Sequence, residues 1–136
     1  LDKLGLIRTI QWFCAEYRSI YAHIQTQEEI GIEEADIPER IKVILFRILQ
    51  EAFNNAAKHS NGDQIGIRLH KEAATLKLSV KDNGDGFDLN KLADRPDLHG
   101  GLGLISMKER VEFMGGSFNI HSVIGDGTEL NAEFPL

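Results

Sequence analysis

Four stretches of the sequence hold residue types that could do chemistry. The first is Glu51-Ala52-Phe53-Asn54-Asn55-Ala56-Ala57-Lys58-His59. On a helix turning about 100° per residue, Glu51, Asn55 and Lys58 project from one face. The preceding turns of that face carry Ile44 and Ile48. An apolar stripe that becomes Glu, Asn and Lys must find partners for those groups, and a ligand or ion can be the partner. A helix end that emerges into water reads the same way. The second stretch is Asp82-Asn83-Gly84-Asp85-Gly86-Phe87. Asn-Gly after an alternating strand is a hairpin signal. Alternatively, Asp82 offers a carboxylate acceptor at a strand's end, and the glycines beyond it let a flat group lie against backbone. Such a carboxylate, accepting an exocyclic amino N–H, selects adenine over guanine. The spacing fails a calcium-binding EF-hand loop, because Phe87 stands where that loop needs its glycine.

The third stretch, His99-Gly100-Gly101-Leu102-Gly103-Leu104, leads into a helix. Glycines there free N–H donors to face an anion, aided by the helix dipole. A flexible loop entering a helix is the plainer reading. The pattern is no dinucleotide fingerprint, being broken at Ser106, and no Walker A loop. The fourth, Gly125-Asp126-Gly127-Thr128, reads as a hairpin turn, or as a turn whose Thr128 hydroxyl supports a water or carboxylate beside the base. The five histidines show no metal-ligand spacing, and Cys14 has no organised His/Asp partner.

The elements that must position these residues follow from periodicity. Leu6, Ile10, Phe13, Tyr17 and Ile20 predict an amphipathic helix over roughly 4–21, with Trp12 and Cys14 as packing residues. His23 to Gln27 reads as a short edge strand and Glu28 to Asp36 as a loop. Asp36-Ile37-Pro38-Glu39 predicts the next helix start, with Asp36 as cap. Ile41, Ile44, Leu45, Ile48, Leu49 and Ala52 then face inward, and the helix runs to about His59, ended by Ser60-Asn61-Gly62-Asp63. Two alternating strands follow, through Ile65, Ile67, Leu69 and Leu76, Leu78, Val80. A third helix spans about Leu102 to Met114, with Leu104, Met107, Val111 and Met114 inward, and stops at Gly115-Gly116. Strands through Phe118/Ile120 and Leu130/Ala132/Phe134 close the chain. This order predicts an α+β fold: a two-layer α/β sandwich, with a mixed, mostly antiparallel sheet and three helices on one face.

Composition bounds the function. The 136 residues suit one domain, 1–136, that folds without staples. One cysteine permits a reducing, cytoplasmic location. No apolar run approaches the ~18 residues of a membrane span. A net charge of −6 argues against nucleic-acid binding and direct membrane contact, both of which need basic patches. Any polyanion must therefore be held locally, by backbone N–H groups, a metal ion or a placed lysine. Nine of the 13 glycines lie between Gly84 and Gly127, where backbone must turn sharply or approach something closely. The start lacks Met and any signal-peptide pattern, so the chain is expected to be a piece of something longer.

Together, in order and spacing, the four stretches resemble the N, G1, G2 and G3 boxes of the Bergerat-fold ATP-binding module. Gyrase, mismatch-repair MutL, heat-shock chaperones and histidine kinases share it. Gly101 through Gly116, with its Met107-Lys108-Glu109-Arg110-Val111 run, and Arg47 through Ala52 are similar to the catalytic domain of nitrate/nitrite-sensor-like histidine kinases. The resemblance spans essentially the whole chain, and residues 1–5 look like the end of that group's dimerisation helices. It implies a domain that binds Mg·ATP and passes the γ-phosphoryl group to a histidine on a separate dimerisation segment, and thence to a response regulator receiver domain. It further implies that Asn55 coordinates Mg²⁺, and that Glu51 takes the acidic position that polarises water in the ATPase relatives. Lys58 and His59 approach phosphates. Asp82 accepts from the adenine amino group, with Gly84, Gly86 and Thr128 around the base. Gly101, Leu102, Gly103 and Leu104 cradle phosphates, and residues 88–100 form a lid. None of His23, His59, His70, His99 or His121 sits in anything like the acceptor motif, so the chain alone is expected to be a monomer unable to phosphorylate itself. An anti-sigma-type serine kinase, a Bergerat-fold ATPase and a degenerate nucleotide-binding module remain the alternatives.

Overall fold

The computed structural model describes residues 4–88 and 99–136, without the side chains of residues 59, 60 and 99–102. The chain runs α1 (Leu6–Ile20), β1 (Gln25–Gly31), a short 3-10 turn (Glu34–Asp36), α2 (Glu39–Asn55), a π turn (Ala56–Ser60), β2 (Gln64–Glu72), β3 (Thr75–Asp82), α3 (His99–Phe113), β4 (Ser117–Val123) and β5 (Gly127–Pro135). The sheet order is β1-β2-β3-β5-β4. Among the described residues only β1 and β2 pair in parallel, and α2 makes the crossover such a pair requires. The expected α+β sandwich is the fold observed.

Strand alternation builds the core. Ile65, Ile67 and Leu69, then Leu76, Leu78 and Val80, then Leu130, Ala132 and Phe134, are all buried, while their neighbours along each strand are not. Each strand therefore turns one side to the helices. From α2, all six residues expected inward are buried, and Phe53 joins them. From α3, Leu104 and Val111 are buried, with Met107 and Met114 packed at the margin.

Several local expectations were displaced. On α1, Cys14 is buried but Trp12 is 61% exposed and Ile20 68% exposed. The inward stripe is Leu6, Ile10, Cys14 and Tyr17, and the last turn runs past the edge of the core. Burial pushes the Cys14 thiol up to about 12, so it is an inert packing group. The strand expected at His23–Gln27 lies further on, and Glu28–Gly31 is strand rather than loop. This edge is held by backbone pairing to β2, so it needs no apolar alternation and shows none. Asp36 does not cap α2. The residue before a proline is pushed into extended conformation, and Ile37 is (φ −94°, ψ 116°), so the helix begins only after Pro38. The regular turns of α2 end at Asn55, and the π turn carries the chain to Asn61, whose left-handed backbone closes it. Among the described residues no helix is long and apolar enough to cross a membrane.

Glu34 caps the other helix instead. Its carboxylate accepts from the N–H groups of Leu6 and Ile7, both at 2.9 Å, and pairs with Lys42 Nζ at 2.7 Å. Burial alone would raise its pKa. The hydrogen bonds from Ile7, Lys42 and Leu6 outweigh that and hold the carboxyl below its ordinary range. A depressed folded-state pKa adds stability that is complete above the unfolded value and is lost as pH falls through the folded one. Glu34→Ala is expected to cost about 1–2 kcal/mol, as loss of a helix cap does. Chemical denaturation should show the variant's stability falling less than wild type's between neutral and acid pH.

Candidate functional site

The same alternation that builds the core runs on to the strand ends, where it turns polar. Asp82 continues the inward series Leu76, Leu78, Val80, and Thr128 precedes Leu130 on β5 at the matching spacing. Asp82 pairs with Thr128, and Thr128 with Ser122 of β4. Three polar side chains thus form one row across adjacent strands, at the end of the face that the helices cover.

Asp82 is 8% exposed. Its Oδ1 accepts the Gly84 N–H at 2.9 Å, and its carboxylate also accepts the N–H of Thr128. Burial nonetheless outweighs these bonds and raises its pKa. A carboxylate offers about four acceptor positions, so it keeps capacity for an outside donor. Ser122 Oγ accepts from the Phe87 N–H at 2.9 Å, donates to the Gly127 carbonyl at 3.3 Å, and lies 2.9 Å from Thr128 Oγ1. It ties the Asp82–Phe87 segment to the β4–β5 turn.

Two glycines let these segments touch. A Cβ on Gly86 (φ 68°) would run into the Val123 carbonyl, and one on Gly127 (φ 92°) into the carbonyl of Asp82 itself. Asn83-Gly84 is therefore no hairpin turn. The Asn83 side chain accepts from the N–H groups of Asp63 and Gln64, clamping the loop to the start of β2. Asn61, just past the π turn, donates to Asp85 at 2.8 Å. The end of the α2 segment and the loop after β3 are joined there.

The polar end of α2 faces α3. A Cβ on Gly103 would strike the Glu51 carboxylate, so the missing side chain is what lets the two helices approach at this point. Glu51 and Asn55 are half-buried and Lys58 is exposed. The π turn breaks the straight-helix projection that put Lys58 in line with the other two. Tyr17 fixes this end from α1, its buried hydroxyl donating to the Phe53 carbonyl at 3.0 Å. Because α3 begins at His99 rather than Leu102, the N–H groups without intrahelical partners extend only to about residue 102. The N–H groups of Gly103 and Leu104 belong to the helix ladder, and the Leu104 side chain is buried in the core.

Segments containing Glu51, Asn55, Asp82, Gly84, Gly86, Gly103 and Thr128 are thus brought into contact. The side chains of His59 and Leu102, and any contacts of Gly101, lie outside the described residues. So does the expected lid, apart from Asp88 and the backbone at 99 and 100. Sequence reading missed Ser122 and the clamp at Asn83. The inward spacing Phe118, Ile120, Ser122 was the available signal for the first.

Comparison with known proteins shows what the chain as a whole is similar to. Residues 41–136 match the family model "Histidine kinase-, DNA gyrase B-, and HSP90-like ATPase". The chain is 36% identical over 140 residues to the signal transduction histidine-protein kinase/phosphatase DegS of Bacillus subtilis (strain 168), covering all of this chain and 35% of that protein. It is 34% identical over 105 residues to the sensor protein VraS of Staphylococcus epidermidis, covering 77% of this chain and 29% of that one. The chain therefore spans about a third of the length of these curated relatives. Among solved structures, the histidine kinase domain of the Erythrobacter litoralis EL346 blue-light activated histidine kinase superposes with a TM-score of 0.72 at 19% identity. That match covers 97% of this chain and 61% of the other, and at such identity it speaks for the fold.

Two outcomes test the geometry. Gly127→Ala adds a clash with the Asp82 backbone to the strain of a left-handed residue, and is expected to cost about 2–4 kcal/mol. Gly125→Ala, also at positive φ but with nothing within 4 Å of its added Cβ, should cost only about 1–2 kcal/mol. Thermal unfolding of both variants makes the comparison. Asp82→Asn keeps an acceptor for Gly84 and removes a charge that burial disfavours. Wild-type stability should fall as pH rises through the range between Asp82's unfolded and raised folded pKa, and the variant should lack that fall.

Proposed function

Because the chain belongs to the histidine kinase-, DNA gyrase B- and HSP90-like ATPase family, we propose that it binds Mg·ATP as the catalytic domain of a two-component sensor histidine kinase and donates the γ-phosphoryl group to a histidine on a separate dimerisation segment. The observation that carries the reading is the polar row Asp82–Thr128–Ser122 at the end of the core-facing side of the sheet, joined through its loops to the Glu51/Gly103 contact between α2 and α3.

Asp82 accepts the adenine amino N–H with its remaining acceptor capacity. Gly84, Gly86 and Thr128 border the base, and Ser122 holds Thr128 in place. Asn55 would hold Mg²⁺ through its side-chain oxygen, the ligand type that ion prefers. A half-buried side-chain amide at the polar end of α2 fits that role. When bound, the ion would supply positive charge that offsets the negative charge of the phosphates. Glu51 orients groups around Asn55 from one helical turn earlier. Lys58, His59 and the first-turn N–H groups of α3, at Gly101 and Leu102, complete the positive field, while Gly103 and Leu104 set the distance between α3 and α2. Phosphoryl transfer asks for alignment and charge neutralisation rather than covalent help, so these residues act by position and field.

The dimerisation segment and a response regulator receiver domain are the partners of this reading, and the cytoplasm is its location. The chain alone acts as a monomer. Titration with ATP and ADP, with and without Mg²⁺, tests the assignment. Asn55→Ala should remove the metal-dependent part of ATP affinity, a loss on the order of tenfold or more. Asp82→Ala should weaken ATP and ADP alike. Wild-type binding by both variants would overturn the site. Labelled ATP should leave no acid-labile phosphohistidine on this chain by itself.

A further inference from the structure

A second surface lies at the far end of the helix pair. Glu51 of α2 meets Gly103 of α3 at one end, while Arg40 of α2 reaches the Met114 carbonyl at the other, at 3.4 Å. The helices therefore run antiparallel, and near their far end they leave a groove of about 490 Å³. Its lining includes Val43, Ile44, Phe113 and Met114, with Arg40, Arg47 and Arg110 around them and Glu109 as the one carboxylate. Phe113 is 93% exposed and Val43 49% exposed. Along α3 the groove is on the order of 10–15 Å from Gly103, clear of the nucleotide site.

The charge of this groove runs against that of the molecule. The chain carries a net −6, yet three guanidinium groups gather here. Among the described residues none of the three is in an ion pair with a carboxylate. Arginines without a carboxylate partner around an exposed aromatic ring are the make-up of a protein-binding site, in which the ring is an anchor and the cations pair with the partner. We propose that the α2–α3 groove receives an acidic amphipathic helix of a partner protein, its apolar stripe seated on Val43, Ile44 and Phe113 and its flanking carboxylates on Arg40, Arg47 and Arg110. An anionic membrane fits less well. The site is concave, it includes Glu109, and the net charge of the whole chain is repelled by such a surface.

The test uses this chain and a short helix-forming peptide with Leu along one face and Glu on its flanks, followed by fluorescence polarisation. Saturable binding is expected, weakened on the order of tenfold by Arg47→Glu and by Phe113→Ala, and reduced by added salt. Each variant should keep wild-type ATP affinity, which shows that it is folded and separates this result from failure of the nucleotide site. A peptide with Lys in place of Glu should not bind. The proposal is overturned if the Glu peptide fails to bind wild type, or binds both variants as tightly. It is also overturned if phosphatidylserine vesicles bind through Arg47 while the peptide does not, or if sedimentation shows that Phe113 serves self-association.

Discussion

A carboxylate on the core side of a sheet has to be held by donors that the fold supplies, and Asp82 carries that demand here. Strand alternation puts it inward, and water is largely excluded. Its answer is local: the Gly84 N–H from the following loop and the Thr128 N–H from the neighbouring strand. Both donors depend on close backbone approach. The loop can return to Asp82 only because Gly86 and Gly127 have no side chain, and Ser122 then fastens the loop to the opposite turn. One buried charge thus dictates the glycine spacing of two segments about forty residues apart.

A second close approach sets the other wall. Gly103 lets α3 lie against Glu51, at the place where α2 changes from apolar to polar. The π turn follows at once and delivers Asn61 to Asp85, so the helix end and the loop after β3 are held together. The helices are otherwise secured at two places, one well away from this site and one beside it. Glu34 caps α1 and pairs with Lys42 of α2, and Tyr17 ties α1 to the last turn of α2. Stabilising contacts and site residues are largely separate sets, which leaves the site free to carry a charge that burial disfavours.

The solved kinase domain superposes at a TM-score of 0.72 while sharing only 19% of its residues. What such distant chains share is a layer architecture, and function must be argued from the site placed on it. The α2–α3 pair serves two ends of that architecture, one against the loops of the site and one against a groove whose charge is unlike the rest of the molecule.

Much of this was legible in the chain itself. The alternation of Ile65–Leu69, Leu76–Val80 and Leu130–Phe134, and the 3.6-residue stripe of α2, are periodic signals summed over many residues, and they determined the elements, the core face and the α+β class. The order and spacing of Glu51, Asn55, Asp82, Gly103 and Thr128 resembled a known module, and that resemblance rather than periodicity suggested one site. Tertiary structure decided what depends on single contacts between distant segments. β1 exists by backbone pairing and so left no apolar pattern. Asp36 looked like a cap, but Glu34 became one for a different helix, twenty-eight positions from Leu6. Trp12 read as core and faces solvent, because it stands on the side of α1 opposite the buried Ile10 and Cys14. Periodicity reports which side of an element is buried. It carries no information about which distant atom a given side chain will meet, because that is set by how the elements pack.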